Sequence, residues 1–515
     1  MKMVPIIGLE IHVQLNTQSK MFCTCPNVED GSPPNTAICP VCTGQPGALP
    51  RLNQAGLEKG VLAGLALNCD IPEKSAFDRK NYFYPDLPKG YQISQFALPV
   101  ALAGHVFIDV PEQALPGREN VRIGITRVHL EEDAAKNFHH EVDGKPATLV
   151  DYNRASTPLI EIVTEPDLRS ASEAKFFLQE LRNIMRAIKV SEAEMEKGQM
   201  RCDVNISMLE VDDKGFPITS VLNPRTEIKN LNSFRNVERA IAYEITRQTG
   251  LYETNTPPTV STRGWDDAAG KTVEQRTKET SADYRYFPEP DLPPQDLRKL
   301  REDLKTRIPE LPAATRQRLK YEWGFSKEVV SFLTVDAAWR EYAEQVLGEL
   351  GTWLEATDPG KQSAGEILEG RKTQLAKLVG GWLTSKLAGL LAERNLGIKE
   401  NKITPENFAE FITLLDKKEI NSANGQKLLE LMLDSGSDPS DLMETHKLGQ
   451  NMPYDELKTI VARNIEANPK QVADIKAGKT ALIKWFVGLI MRETEGRANP
   501  ETAEDEIKRQ FETHN

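Results

Sequence analysis

Alternation is the first regularity along the chain. In Ile7-Gly8-Leu9-Glu10-Ile11-His12-Val13-Gln14-Leu15, five aliphatic residues share one face of an extended strand, while Glu10, His12 and Gln14 share the other. Arg122–Leu130 and Leu159–Thr164 are further short apolar runs, and Arg201–Ser207 alternates again, aligning Arg201, Asp203, Asn205 and Ser207. One long helix interrupts these strands. Ser170 and Glu173 have the spacing of a capping box, and Phe176, Phe177, Leu181, Ile184, Met185 and Ile188 follow a helical period. A second helix is predicted from about Ser233 to Thr249. Tyr286–Gln295 carries four prolines and reads as a linker. From about Leu297 strand signals give way to helical periods, with a further break near Gly397–Thr404, where Thr404 and Pro405 fit the cap and first position of a new helix. The pattern predicts an α+β fold in three parts. A mixed, largely antiparallel-sheet domain spans 1–295, an all-helical connector 296–402 and a helical tail 403–515.

Composition narrows the class. Of 515 residues, 39% are hydrophobic and 27% charged, which is ample for folded cores. The sum of 64 basic and 76 acidic residues is −12, so bulk charge does not make this a nucleic-acid coat. Locally the sign reverses: Lys458–Arg497 holds eight Lys or Arg against four acids, suited either to RNA or to an ordinary solvated helix face. No run of about 18 apolar residues predicts a membrane span, and the first ten residues lack the marks of a signal peptide. Six cysteines are too few for a disulfide scaffold. The expectation is a cytoplasmic protein with reduced thiols.

Four of those cysteines are patterned. Cys23-Thr-Cys25 and Cys39-Pro-Val-Cys42 are two close pairs on turn-forming segments, able to converge on one tetrahedral Zn²⁺. With every ligand position filled by sulfur, such an ion would be structural. Acids inside apolar strands are the second signal. Glu161 stands alone within Pro158–Val163, where an uncompensated charge would cost several kcal/mol. His129-Leu130-Glu131-Glu132-Asp133 adds three acids after a strand, and adjacent strand residues face opposite ways, so Glu131 and Glu132 cannot both enter one site. Carboxylates with one imidazole suit Mg²⁺ or Mn²⁺. Asp78–Pro85, with Lys80 and Tyr82, and Asp283–Pro288 mix bases with stackable rings; they suit a nucleotide or a tRNA end, or equally turns packed by aromatics. Lys229, before the second helix, can offer its ammonium to phosphate. Gly478-Lys479-Thr480 is not a P-loop, because position 473 is alanine.

Gly8–Gln14, Asp78–Pro85, Tyr91–Phe96, His129–Asp133, Thr157–Glu161, Arg201–Asn205 and Lys229–Phe234 together resemble the B subunits of the tRNA-dependent amidotransferase GatCAB. The resemblance runs over essentially the whole length and is densest before residue 290. It implies a cradle-shaped catalytic domain, a helical domain and a tRNA-binding tail related to YqeY proteins. It further implies that ATP phosphorylates the side-chain carboxylate of Glu-tRNA(Gln) or Asp-tRNA(Asn), and that ammonia then displaces phosphate. Glu10, His12, Glu132 and Glu161 occupy positions resembling the family's Mg²⁺ site; Asp203 and Asn205 match nearby cradle residues beside Arg201. The cysteine quartet resembles a zinc module that only some members carry. The chain shows no Gly-x-Ser-x-Gly elbow and no Cys/His arrangement fit for an amidase. Its ammonia is therefore expected from a partner, in the family an amidase (GatA) steadied by a small third protein (GatC), the three forming a heterotrimer. A stand-alone ligase using free ammonia and a zinc-organised tRNA-binding scaffold are the rival readings.

Overall fold

The structure, a computed structural model, describes residues 2–28, 31–111, 120–214, 216–219, 221–277, 283–357, 363–450, 452–476 and 479–513. The chain forms two compact units, Met1–Ala313 and Ala314–Asn515.

The first unit is built on an eight-stranded sheet. Its strands in chain order are β1 (Lys2–Gln14), β2 (Ala101–Asp109), β3 (Asn120–Glu132), β4 (Pro158–Thr164), β5 (Met200–Val211), β6 (Thr226–Leu231), β7 (Ser261–Asp266) and β8 (Lys271–Thr277). In space they run β8-β7-β6-β5-β1-β4-β3-β2, antiparallel throughout except for the β6/β7 pair. The fold is thus α+β, as the pattern predicts. Ile7, Leu9, Ile11 and Val13 are buried to 1% or less, and alternation leaves Glu10, His12 and Gln14 on the other, half-open face.

Three helices pack against the sheet in that core: α1 (Gln54–Ala66), α2 (Ala171–Ala187) and α3 (Phe234–Glu253). Ser170 and Ser233 cap α2 and α3, accepting from the backbone N–H groups of Glu173 and Asn236. Glu173 reaches back one residue further than a capping box requires, to the Arg169 N–H. Helix α1 escapes the pattern reading because its hydrophobicity is nearly uniform around the axis. It lies against β2 and β3 through glycines four residues apart: a Cβ on Gly60 would stand 3.0 Å from Leu130, and one on Gly64 2.5 Å from the Ala101 Cβ.

The proline-rich segment read as a linker is packed instead. Phe287–Pro288 pairs with Asp78–Arg79, the Glu289 carboxylate accepts two bonds from Arg79, and Leu292 and Leu297 enter the core of the first unit. Prolines end strands without preventing burial of the residues between them.

The second unit is helical among its described residues. Thr404 caps the helix Pro405–Asp416, accepting from the Asn407 N–H at 3.1 Å, with proline in its first turn. One apolar core runs from Leu319 to Leu448 and includes Trp382, Phe408 and Phe411; a separate one joins Leu457, Phe486 and Ile507. Helix Pro469–Lys476 precedes the Lys479-Thr480 pair, and Gly478 lies outside the described residues. No helix among the described residues is long and apolar enough to cross a membrane.

Candidate functional site

Strand register assembles the site. His12 on β1 pairs directly with Glu161 on β4 and Arg201 on β5, and Glu161 pairs with His129 on β3. These four residues form one row across the open face, because direct cross-strand partners point the same way. A bulge in β3 completes it: the pairing slips between Ile125 and Arg127. Before the slip the odd residues Ile123 and Ile125 are in the core; after it the even residues Val128 and Leu130 are. Arg127, His129 and Glu131 thereby turn to the open face.

The result is a compact acid–histidine cluster. His12 Nε2 stands 3.3 Å from Glu131 and 3.4 Å from Glu161, while His129 Nε2 stands 3.1 Å from Glu161 and 3.7 Å from Glu131. Ligand atoms of His12, Glu131 and Glu161 all lie within 4.8 Å of one another. Burial alone would discharge His12, but its bonds to Glu131 and Glu161 outweigh that and hold it up to about 10. Reciprocally, His12 and His129 overcome the burial of Glu131 and hold its carboxyl down to about 2. Against the same cost of burial, the charge of His129 and the bond from His12 keep Glu161 well below the ordinary carboxylate range. Two anionic carboxylates and the His12 imidazole converge on one point; once that imidazole gives up its proton, the three form a donor set able to hold a borderline or hard divalent cation.

Glu132 is not in this cluster. It points to the opposite side, where its carboxylate takes 2.7 Å from Lys89 Nζ and 3.0 Å from the Ile93 N–H. The position given to Glu132 from sequence is filled by Glu131, which also accepts from Ser94 Oγ at 3.3 Å. The signal was present: Val128 and Leu130 set the core parity, and that parity puts His129 and Glu131 together. His129, Arg127 and Ser94 also stand at the cluster, beyond the individual residues expected from sequence.

Of the remaining expected residues, Glu10 lies two positions along β1, held by Asn205 Nδ2 at 2.8 Å. Burial, then the charge of Glu161, raises its carboxyl above the usual range although Asn205 works the other way. Asp203 faces Glu10 in register but is bound to Lys229 Nζ at 2.5 Å, and Lys229 also meets Glu227 at 3.0 Å. Arg201 forks onto Asp133 at 2.7 and 3.2 Å, with Gln14 and Arg154 on the same carboxylate. The two aromatic runs, two hundred residues apart in sequence, meet: Asn81 N–H bonds the Tyr284 carbonyl, the Tyr82 and Tyr284 rings are 6.1 Å apart, and Lys80 Nζ lies 5.0 Å over Tyr284. Lys80 is half-buried, which works against its charge, yet Glu131, Tyr286 and Glu161 keep it above its ordinary range.

Elsewhere in the same unit the cysteine quartet is assembled. The four sulfurs of Cys23, Cys25, Cys39 and Cys42 lie within 4.8 Å of one another and all are free thiols. Cys42 Sγ accepts from the Cys39 N–H at 3.2 Å and from Lys20 Nζ at 3.6 Å; Lys20 is fully buried. The Cys23 thiol, the Cys39 backbone and the Lys20 cation together hold Cys42 down to about 4 against burial. A converging set of sulfurs with N–H donors behind it suits Zn²⁺.

A sheet carrying a polar, cation-fitting cluster on its open face has the build of a face that handles charged groups. Residues 5–301 match the GatB/GatE catalytic domain and residues 366–511 the GatB domain. The chain is similar to the B subunit of the aspartyl/glutamyl-tRNA(Asn/Gln) amidotransferase of Thermomicrobium roseum, 43% identical over 98% of this chain and 97% of that protein. The same-named proteins of Thermotoga maritima, 43% identical over 97% of each chain, and Persephonella marina, 42% over 97% and 98%, match it to the same degree. The chain belongs to the GatB family of amidotransferase B subunits.

Proposed function

We propose that this chain is the catalytic component of a tRNA-dependent amidotransferase. Its cradle would phosphorylate the side-chain carboxylate of Glu-tRNA(Gln) or Asp-tRNA(Asn) with ATP, forming an acyl phosphate and ADP. Ammonia then forms the C–N bond, the C–O bond to phosphate breaks, and the amide nitrogen sheds a proton. The observation carrying this reading is the His129–Glu161–His12 row with Glu131, set in a strand-borne face where isolated acids would be costly. His12, Glu131 and Glu161 would hold Mg²⁺, with Glu10 alongside; bound there, the ion supplies charge to offset the transferring phosphoryl group. Lys80 adds a fixed positive charge beside the same carboxylates. Glu10, held by Asn205 beside these carboxylates, is placed to take up the proton released on amide formation. Asn205 fixes Glu10, Arg201 pairs with Asp133 and Lys229 with Asp203, and these residues would line the substrate side of β5 and β6.

The ammonia comes from the amidase partner GatA, steadied by the small partner GatC, in the cytoplasm. Zn²⁺ on the cysteine quartet is structural, and the helical tail beyond residue 403 contacts tRNA. The acid–histidine row argues against a pure scaffold, since tRNA binding needs no acids beside phosphate. The test is Glu161→Gln in the reconstituted heterotrimer, with phosphate release from ATP measured in the presence of Glu-tRNA and bound tRNA measured in parallel. Release should fall about a thousandfold while tRNA binding and glutamine hydrolysis persist. Near-normal release would make Glu161 a structural acid and end this reading.

A further inference from the structure

Phe96 has no place in the core, yet its backbone is anchored from both sides. The residue is 56% exposed. The buried Asp78 carboxylate accepts from both the Phe96 and Ala97 N–H groups, at 2.8 and 3.1 Å. Arg127, turned outward by the β3 bulge, donates to the Gln95 and Phe96 carbonyls at 2.6 and 3.0 Å. Gln95 is itself locked, accepting from the Leu130 N–H and donating to Ser75 Oγ. On one side the ring stacks against Tyr286, centroids 4.4 Å apart and planes within 15°. Tyr286 continues through Tyr284, 6.1 Å away, to Lys80. Two residues before Phe96, Ser94 bonds Glu131 of the acid–histidine cluster.

An exposed aromatic ring costs free energy in water, and fixing its backbone so thoroughly has no use in packing. It is what a preorganised stacking surface requires: a flat face, already half of a stack, presented without further loss of backbone freedom when a ligand arrives. The nearby row handles phosphoryl and acyl groups in the reading above, so the flat partner must belong to a molecule that brings such groups. We propose that the outer face of Phe96 stacks the adenine ring of an adenosine bound at this site, supplied either by ATP or by the 3′-terminal nucleotide of the tRNA. Arg127 is the positioning residue that holds the platform, while Tyr286 backs it. This rests on the amidotransferase reading and adds to it the surface that takes the base.

The experiment uses the heterotrimer with Phe96→Ala, Phe96→Leu and Phe96→Trp. Each variant is titrated with two pairs of ligands: ATP against inorganic tripolyphosphate, and uncharged tRNA ending in CCA against the same tRNA ending in CC. One aromatic–base stack corresponds to a change of roughly tenfold in affinity. Phe96→Ala and Phe96→Leu should weaken ATP or CCA-ended tRNA by about that factor, whichever supplies the base, and leave its base-less counterpart unchanged; Phe96→Trp should restore the loss. Unchanged affinity for both adenosine-bearing ligands overturns the proposal. So does an equal loss for ligands with and without the base, or failure of the variants to assemble with their partners, which would mark Phe96 as a protein-contact residue. Glu161→Gln run alongside separates the two claims: its inactivity with an inert Phe96→Ala sinks only the platform, and its full activity sinks the reading beneath it.

Discussion

The cysteine quartet and the acid–histidine cluster are two ways of gathering charged ligands in one unit, and they are built oppositely. The quartet comes from twenty consecutive residues. Two short turns bring the sulfurs together, and Lys20, a few residues upstream, lies buried against one of them. The acid–histidine cluster takes His12, His129, Glu131 and Glu161 from three strands and depends on register and one bulge. Its open side faces outward, with His12 about a quarter exposed, whereas Cys23, Cys25 and Cys42 are buried. A local, closed, soft-ligand set is fit to hold a module together. A nonlocal, open set with hard oxygens leaves room for substrate.

The comparison is most sharply broken at Glu131 and Glu132. Glu131→Gln should reduce ATP-dependent activation about a thousandfold, equivalent to roughly 4 kcal/mol in the barrier, and the loss should remain under conditions where the variant is fully folded. Glu132→Gln should spare activation and act on stability alone. It leaves Lys89, only 11% exposed, without its partner, so unfolding free energy from urea titration should drop by about 3 kcal/mol while the folded enzyme still turns over. Equal activity losses in the two variants would erase the distinction drawn from the bulge.

Cys39→Ser tests the other cluster. Metal analysis of the wild-type complex should find about one zinc per chain, and the variant should lose it. Proteolysis of the segment around residues 20–50 should quicken, while activation falls by no more than about tenfold. Lys20→Met is the finer version: removing a buried cation beside a thiolate should weaken zinc retention against a chelator by roughly tenfold, and Lys20→Arg should lessen the loss. Full zinc retention in Cys39→Ser would remove the quartet as a site.

The smallest effect concerns the tail. One apolar core bridges residue 403, so a cut there would strip Phe408 and Phe411 from it; a cut after Gln450 instead removes the separate Leu457–Ile507 cluster. That truncation should weaken tRNA binding by about tenfold at low salt, and the difference from wild type should shrink as salt rises. Identical affinity at every salt concentration would leave the tail without a role in RNA binding.

What the sequence determined by itself is whatever a short window contains. Alternation fixed the faces of β1, Ser170 and Thr404 fixed helix starts, and the spacing of the four cysteines fixed their quartet, because each depends on neighbours within a few bonds of backbone. Glu161 was conspicuous for the same reason, a lone acid among aliphatics. Tertiary structure decided the rest. Only cross-strand register could set His129 and His12 on either side of Glu161, and only the slip after Ile125 chose Glu131 over Glu132. Helix α1 was invisible because its glycines answer to the strands beneath it rather than to a helical period. The proline-rich segment reads as a linker along the chain, whereas Arg79, over two hundred residues away, holds Glu289 in place. In each case the deciding contact joins residues that are far apart along the chain, and no local pattern carries that information.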